Sequence, residues 1–549
     1  MGKLFGTDGI RGVANETLTC HLAYRVGQAA AISLGSFEGK RPKVVIGKDT
    51  RISSDMLEAA LLAGLTASGC DAVKLGVIPT PAVAYLTVRE HADAGIVISA
   101  SHNPFEHNGI KMFSSRGFKL SDELEANIES LILQEGELPT KTHGEIGRIS
   151  DGAGLMDAYL DHLASTVDGL KPIKVVFDCA NGAASATARK LFSRFPLEAT
   201  YLSADPDGVN INNGCGSTHL GKLAKAVVDG GYDLGLAFDG DADRCLAVDE
   251  KGKEIDGDQI MAVCAEYLTA QGKLRSEGFV ATVMSNLGLH KFCEENHLKL
   301  LCASVGDRNV LERMLEKGYA IGGEQSGHMI FLEHATTGDG ELTALQMLAL
   351  LKESGKKASE VFGACPRYPQ VLINIPVANN DAKKAIMASE ALAQAVAGEE
   401  DTDTYYGEPL YIIPKVCQLD MTATLLSSGY DVLLMPAASA FEDPAEPDSS
   451  LTVATVLKTG PHGYLRSLTD GKNTLDKQEG DREGELSLAL YAHRMHANGN
   501  VSRMFALGNS TMLVDDYIYQ STFNEQFLTA VLKELVPSGE ISLDIMASS

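Results

Sequence analysis

Up to about residue 365, short apolar runs alternate with longer amphipathic stretches, a rhythm that predicts βαβ units and mostly parallel sheets. Leu22, Val26, Ala29 and Ala30 form a stripe at helical spacing, with Thr19 placed to cap its start and Gly35 to end it. Ala94–Ile98 and Leu234–Phe238 are unbroken apolar runs, each read as a buried strand ending in a polar turn. Three further segments look alike: Val44-Val45-Ile46-Gly47-Lys48-Asp49, Val175-Val176-Phe177-Asp178-Cys179-Ala180-Asn181-Gly182 and Val280-Ala281-Thr282-Val283-Met284-Ser285-Asn286. Each reads as a strand closing in a polar turn ahead of a helix. They recur at intervals of about 100 to 130 residues, which predicts three related α/β domains rather than a solenoid of short repeats. Polar stretches near 136–152 and 252–257 are the natural breaks between them.

After these units the texture changes. A strand-like run over 371–375 and an Ala-rich helical pattern over 381–397 start a further unit. An acidic linker, Glu399-Glu400-Asp401-Thr402-Asp403-Thr404, follows. Beyond it come a strand pattern over 432–435, a Pro/Glu/Asp/Ser-rich loop over 441–450, a charged loop over 476–485 and a last α/β segment over 505–536. The expected division is 1–150, 151–255, 256–367, a partial unit over 368–400, and an atypical α/β tail over 401–549.

Composition narrows the function classes. At 549 residues the chain is too long for one core, and about three to five domains are expected. Hydrophobic residues make up 44% and charged residues 22%, ordinary for a soluble globular protein. No run reaches the roughly 20 apolar residues needed to span a bilayer, and residues 1–12 lack an apolar signal core. Ten cysteines without CxxC spacing read as reduced thiols, so a cytoplasmic protein is expected. The net charge of -26 argues against nucleic acid as a partner. It leaves an anionic small molecule open, because local Arg and Lys can focus the field within a cleft.

Four runs carry candidate chemistry. Asp239-Gly240-Asp241-Ala242-Asp243-Arg244 offers three carboxylates at alternate positions, a set suited to a hard divalent cation such as Mg²⁺ or Mn²⁺. Gly240 is expected to let the backbone bend tightly. Arg244 supplies a fork for a phosphate beside that metal. The second run, Ser99-Ala100-Ser101-His102-Asn103-Pro104, puts a hydroxyl and an imidazole in a strand-end turn. A serine carries phosphate well only when a cation neutralises the phosphoryl oxygens and a base moves the proton. His102 is adjacent, and Lys111 is close enough in sequence to fold back on the same loop. The third run, Phe5-Gly6-Thr7-Asp8-Gly9-Ile10-Arg11-Gly12, places Arg11 between glycines, and Gly47-Lys48-Asp49-Thr50-Arg51 adds charge at a strand end. The fourth, Gly323-Glu324-Gln325-Ser326-Gly327-His328, offers a carboxylate, an amide, a hydroxyl and an imidazole suited to sugar hydroxyls or an amino group. Taken singly, each of these runs is also what an ordinary polar turn looks like.

In this order and spacing, the runs over 5–12, 100–104, 239–244 and 322–328 resemble the α-D-phosphohexomutase superfamily. Asn210-Ile211-Asn212-Asn213-Gly214-Cys215-Gly216-Ser217-Thr218-His219 and Thr336-Thr337-Gly338-Asp339-Gly340 look like its bacterial phosphoglucosamine mutase branch. The resemblance covers about residues 1–400. It implies three α/β domains of the phosphohexomutase type, with mixed or parallel sheets, and a fourth that is truncated here. It also implies a phosphoserine at Ser101 and one Mg²⁺ held by Ser101, Asp239, Asp241 and Asp243. Glucosamine 6-phosphate and glucosamine 1-phosphate would interconvert through a glucosamine 1,6-bisphosphate, which also serves as activator, on the route to UDP-N-acetylglucosamine. His102, Lys111, His328 and Arg11 would be catalytic, with Lys111 and His328 as acid and base. Arg244 would grip phosphate, and Gly323, Glu324 and Ser326 would bind the sugar. A homodimer would be expected, and the tail's partner is unknown. Mannose or glucose phosphates as substrates, or a non-catalytic sugar-phosphate-binding protein, are the competing readings.

The chain departs from the resemblance at its C-terminal end. Superfamily members carry a fourth-domain loop of the form Arg-x-Ser-Gly-Thr-Glu-Pro that grips the non-transferring phosphate, and no such run is present. Residues 428–435 and 507–516 are similar instead to a domain of gliding-motility or ABC-transporter auxiliary proteins. A natural fusion, a gene-assembly error and a divergent fourth domain are all compatible with this.

Overall fold

The computed structural model describes residues 4–6, 8–35, 41–272, 274 and 278–368, and parts of 394–507. The chain divides into two compact units, Met1–Tyr368 and Pro369–Ser549.

The predicted first helix forms as Cys20–Gly35, and the Thr19 hydroxyl accepts the amide of Leu22 at 3.1 Å. Val26, Ala29 and Ala30 are buried on its inner face. Ala94–Ile98 and Leu234–Phe238 are strands with every residue buried, as unbroken apolar runs in a covered sheet should be.

Among the described residues the first unit holds three sheets, and one motif is repeated in each. In the first, Asp71–Val77, Lys43–Lys48 and Ala94–Ile98 lie parallel, in that spatial order, and His107–Ser114 pairs antiparallel with the last of them. In the second, the same places belong to Glu198–Leu202, Lys174–Asp178, Leu234–Phe238 and Cys245–Asp249. In the third they belong to Lys299–Ala303, Gly278–Thr282, Ile321–Gly323 and Met329–Phe331. The three look-alike sequence segments are therefore the same strand of the same motif. Helices such as Ile52–Ala67, Ala184–Phe192 and Leu287–Glu295 make the first crossover of each.

This repetition places the chemistry. Each candidate loop joins the third strand of its motif to the antiparallel fourth. Residues 99–106 connect strands registered at Ile98 and Ile110, 239–244 connect Phe238 and Cys245, and 324–328 connect Gly323 and Met329. All three leave the carboxyl end of a parallel strand, the usual place for ligands in an α/β sheet. Ile149–Asp151, at the end of the polar stretch over 136–152, joins the first sheet as a strand parallel to Asp71–Val77.

In the second unit the described residues are mostly antiparallel strands. Lys415–Val416, Leu451–Lys458, Ser487–Met495 and Val501–Leu507 form one sheet, and Ala423–Ser427 is a short helix. Val456, Leu457, Leu488 and Ala489 are buried there. The helix expected over 381–397 requires a correction at its end. Gln394–Gly398 is a strand, paired antiparallel with Gly463–Ser467, because that partner offers a backbone ladder that outweighs alanine's helical preference. Residues 371–375, 381–393, 432–434 and 508–536 lie outside the described residues. Met435 and the run 505–507 fall in strands.

Candidate active site

Ser101 is buried in its turn, with φ +53°, a left-handed conformation that costs a non-glycine residue about 1–2 kcal/mol. Its amide donates to the Ser99 hydroxyl at 3.0 Å, and its hydroxyl donates to Asp239 Oδ2 at 2.6 Å. His102 Nδ1 lies 3.4 Å from the same hydroxyl oxygen. Burial, aided by Arg244 and Arg11, pushes the His102 imidazole down to about 4, so it is neutral at physiological pH.

Asp239, Asp241 and Asp243 are buried, and one oxygen from each lies within 4.8 Å of the others. Asp241 Oδ2 accepts from the Thr80 hydroxyl at 2.6 Å and from Lys111 Nζ at 2.9 Å. Its Oδ1, and Oδ1 of Asp243, are buried without a hydrogen-bond partner. Burial raises Asp239 well above the usual carboxylate range, and the charges of Asp243 and Asp241 add to the effect. Asp243 is raised by burial and by Asp241. Burial opposes ionisation of Asp241 too, but Lys111 and Thr80 outweigh it and hold the group low. Orphaned buried oxygens and mutually repelling carboxylates are what a divalent cation would resolve, so the donor set fits Mg²⁺ or Mn²⁺.

Gly240 has a role other than the one expected. It is Ala242, at φ +56°, that takes the left-handed turn in this loop. Gly240 instead lets two backbones meet, since a Cβ there would lie 2.4 Å from the Ser101 carbonyl oxygen.

Lys111 sits on the strand His107–Ser114 rather than in the Ser101 turn, and is 3% exposed. Besides Asp241 it pairs with Asp8 at 2.9 Å and Asp243 at 3.7 Å. Burial would strip its proton, but Asp241, Asp8 and Asp243 together raise its affinity for it, so the ammonium stays charged. Arg11, on the strand Gly9–Val13, pairs with Asp8 and is partly exposed. Lys119 joins Asp8 at 2.7 Å to Asp307 at 2.7 Å. His328 is buried 3.8 Å from Asp307, and neither ring nitrogen has a hydrogen-bond partner. Its backbone bridges that of Arg244, so the acidic loop and the 324–328 loop are stitched edge to edge. The Arg244 amide donates to Asp239 Oδ1 at 3.2 Å. In the last loop, Glu324 Oε1 accepts the Gly306 amide at 3.0 Å and Oε2 accepts the Ser326 hydroxyl at 3.4 Å. Gly323 is the last residue of the strand that enters it.

The fold thus gathers Ser101, His102, Lys111, Arg11, the Asp triplet, Arg244 and His328 into one linked cluster. Sequence reasoning missed Asp8, Thr80, Lys119 and Asp307. Asp8 lies inside a run already singled out, and Gly306-Asp307 at the head of the helix Asp307–Lys317 is a polar turn after a strand, the same signal as the others. Lys119 and Thr80 carried no local mark. The Lys48–Arg51 charges are taken up by protein partners, as Lys48 binds Asp55 and Glu58 and Arg51 pairs with Asp49.

Comparison with known proteins agrees with this geometry. Residues 2–138, 157–252 and 256–368 match alpha/beta/alpha domains I, II and III of the phosphoglucomutase/phosphomannomutase family. A phosphoglucosamine mutase of Acetivibrio thermocellus is 54% identical over 386 residues, 70% of this chain and 86% of that protein. One from Clostridium novyi is 53% identical, over 69% of this chain and 85% of that protein. Among solved structures, a phosphoglucomutase/phosphomannomutase family protein of Burkholderia thailandensis shares the fold, with a TM-score of 0.59 at 19% identity over 97% of this chain and 98% of that one. So does an Aspergillus fumigatus N-acetylphosphoglucosamine mutase in complex with GlcNAc-6P and magnesium, with a TM-score of 0.51 at 15% identity over 96% of each chain. With the loops, their order and these relatives in agreement, the chain belongs to the phosphoglucosamine mutases of the phosphohexomutase superfamily.

Proposed function

We propose that the chain interconverts glucosamine 6-phosphate and glucosamine 1-phosphate, with Ser101 as the phosphoryl carrier and a glucosamine 1,6-bisphosphate as intermediate. One observation carries this reading: the Ser101 hydroxyl bonds at 2.6 Å to an acid triplet that holds two unpartnered buried oxygens. Asp239, Asp241, Asp243 and an oxygen on Ser101 would hold one Mg²⁺. When bound, it supplies neutralising charge to the phosphoryl oxygens.

The residues of the chain then divide the work. In the first half-reaction the bond from phosphorus to Ser101 Oγ breaks and one to the sugar O1 forms. Charged Lys111 gives its proton to the departing Ser101 oxygen, and His328, with neither ring nitrogen hydrogen-bonded, takes the proton of the sugar hydroxyl. After the bisphosphate turns, the second half-reaction runs these transfers backwards. The bond from the sugar O6 to phosphorus breaks and Ser101 is rephosphorylated, so protons and phosphoryl groups balance over the cycle. Neutral His102 orients the Ser101 hydroxyl. Arg11 and Arg244 bear on phosphoryl oxygens, and Gly323, Glu324 and Ser326 line the sugar. Phosphoryl transfer is chiefly positioning and charge neutralisation, which suits a site built mostly of ion pairs.

We assign residues 1–150, 151–255 and 256–367 to three domains that each supply one loop, 368–400 to the start of a fourth, and 401–549 to a tail without the family's phosphate-gripping run. Each lost charge-assisted hydrogen bond is worth about 1.5–3 kcal/mol, so several would cost orders of magnitude in kcat/KM. Phosphorylation of Ser101 therefore survives in this reading, while complete isomerisation is slow and depends on added bisphosphate.

A coupled assay with Mg²⁺ on glucosamine, glucose and mannose 6-phosphates, for the full chain and one ending at residue 400, tests this. Glucosamine 6-phosphate should be preferred. Equal rates on all three would break the amino-sugar assignment. Absence of phosphate on Ser101 by intact mass and peptide mapping would break the mechanism. Fast isomerisation without added bisphosphate, unchanged by the truncation, would break the claim about the tail.

A further inference from the structure

Two side chains that the mechanism leaves unused, from different domains, hold the Ser101 turn. Arg51 precedes the helix Ile52–Ala67, and its side chain is sealed from solvent. Asp49 holds its guanidinium in an ion pair, and Asp49 is in turn fixed by the Ser54 hydroxyl at 3.0 Å. Arg51 Nη2 donates to the carbonyl oxygens of Ser101 at 3.1 Å and Asn103 at 2.5 Å. Asn212 comes from the second domain, inside the 210–219 run. Its Nδ2 donates to the same two carbonyl oxygens, at 2.9 and 3.0 Å. Its own backbone is tied down by a bond from its amide to the Ala180 carbonyl at 2.9 Å.

We propose that Arg51 and Asn212 are positioning residues for phosphoryl transfer, a two-sided clamp that keeps Ser101 left-handed with its hydroxyl aimed at the acid triplet. Two carbonyl oxygens converging in a tight turn repel each other unless donors lie between them, and here each receives two. A left-handed serine is held only where its surroundings over-determine it. The clamp also spans two domains, so it fixes the distance between the serine and the acidic loop as well as the serine's conformation.

The inference rests on Ser101 being the phosphoryl carrier, and the test separates the two claims. The full chain with Mg²⁺ is mixed with glucosamine 1,6-bisphosphate, quenched over time, and Ser101 phosphorylation is followed by intact mass. Hydrogen exchange of residues 99–104 is measured in parallel. Asn212→Ala should lower the saturating phosphorylation rate about 10- to 100-fold, the scale of a small misplacement of reacting atoms. The half-saturating donor concentration should stay within about twofold, and exchange in 99–104 should rise about tenfold or more. Asn212→Asp, which sets a carboxylate against two carbonyl oxygens, should lose more. Arg51→Met leaves Asp49 buried and unpaired and can fail to fold, so Arg51→Met is made together with Asp49→Asn. A wild-type rate with wild-type exchange in Asn212→Ala overturns the clamp. So does a raised half-saturation with an unchanged rate, which would make Asn212 a sugar contact. If the wild type takes no phosphate on Ser101, the functional reading fails, and exchange in 99–104 alone decides the clamp.

Discussion

Two buried acidic runs in this molecule share one spacing, Asp239-Gly240-Asp241 and Asp339-Gly340-Glu341. The first ends a strand, and the second opens the helix Gly340–Ser354. The first faces cations. Lys111 and Thr80 keep Asp241 ionised, while crowding by its neighbours leaves Asp239 reluctant to ionise beside it. The second faces hydroxyls and backbone amides. Tyr159 donates to Asp339 at 2.8 Å, the Leu342 amide caps the helix through Asp339 at 2.9 Å, and Thr187 donates to Glu341 at 2.7 Å. Burial pushes Asp339 up to about 6 and Glu341 up to about 8. Spacing brings carboxylates together, but the residues opposite decide whether they hold charge. The charged run, with Asp243 completing a group of three carboxylates and orphaned oxygens on Asp241 and Asp243, has use for a metal, whereas the orphaned oxygen of the second run, Glu341 Oε2, sits on a carboxyl that burial keeps protonated near neutrality. The second run pins the helix Gly340–Ser354 to the helices carrying Tyr159 and Thr187.

Breaking the charged run should have the largest consequence. Asp241→Asn removes a carboxylate from the proposed metal set and one of the three acidic partners of Lys111, and Ser101 phosphorylation by the bisphosphate should fall about 10³-fold. Calorimetric Mn²⁺ affinity should drop at least about tenfold in parallel. A wild-type rate would mean that this run is no more functional than its counterpart. Lys111→Met should cost about 10²-fold in the same assay. It also removes the charge that holds Asp241 low, so Asp241 should bind protons more readily and Mn²⁺ binding should weaken more steeply from pH 8 to pH 6 than in wild type. Parallel pH profiles would show that Lys111 does not set the state of Asp241.

The contrast between the runs marks where sequence reading stops. The apolar alternation and the repeated strand-turn segments were legible, because the period of an element and its end signals are local. The loops carrying Ser101, the Asp triplet and residues 323–328 were legible as strand-end polar runs. Facing partners were not. Thr80 reaches Asp241 across 161 positions, Lys119 reaches Asp307 across 188, and Thr187 reaches Glu341 across 154. No periodicity reports such pairs. The role of Gly240 was misread for the same reason, since close approach depends on the Ser101 backbone far away in the chain. The strand at Gln394–Gly398 shows alanine's helical preference, a weak local term, overruled by a partner strand some 70 positions later.

The second run makes its own, smaller predictions. Glu341 has a folded-state affinity for its proton above that of the unfolded chain, so its contribution to stability is complete below about pH 4.5 and is lost as pH rises through about 8. Glu341→Gln keeps the acceptor for Thr187 and has no proton to lose. The melting temperature of this variant should exceed wild type by on the order of 5 °C at pH 8 and differ little at pH 5. A constant difference at both pH values would show that Glu341 is ionised in the fold, like Asp241.

Thr187→Val is the mildest change. At pH 5 it removes one hydrogen bond from a neutral carboxyl whose other oxygen, Oε2, has no partner, which should cost about 1 kcal/mol, or about 2–4 °C. The Thr187 hydroxyl also favours the ionised form of Glu341, so removing it should shift the loss of stability to higher pH. The variant should therefore lie furthest below wild type above about pH 8, where wild-type Glu341 ionises and draws on that hydrogen bond. In the charged run the equivalent loss, of the Thr80 hydroxyl from Asp241, would leave Lys111 in place to hold the carboxylate ionised, and a melting difference independent of pH is expected. If Thr80→Val and Thr187→Val showed the same pH dependence, the state of each run would be set by burial alone and not by what faces it.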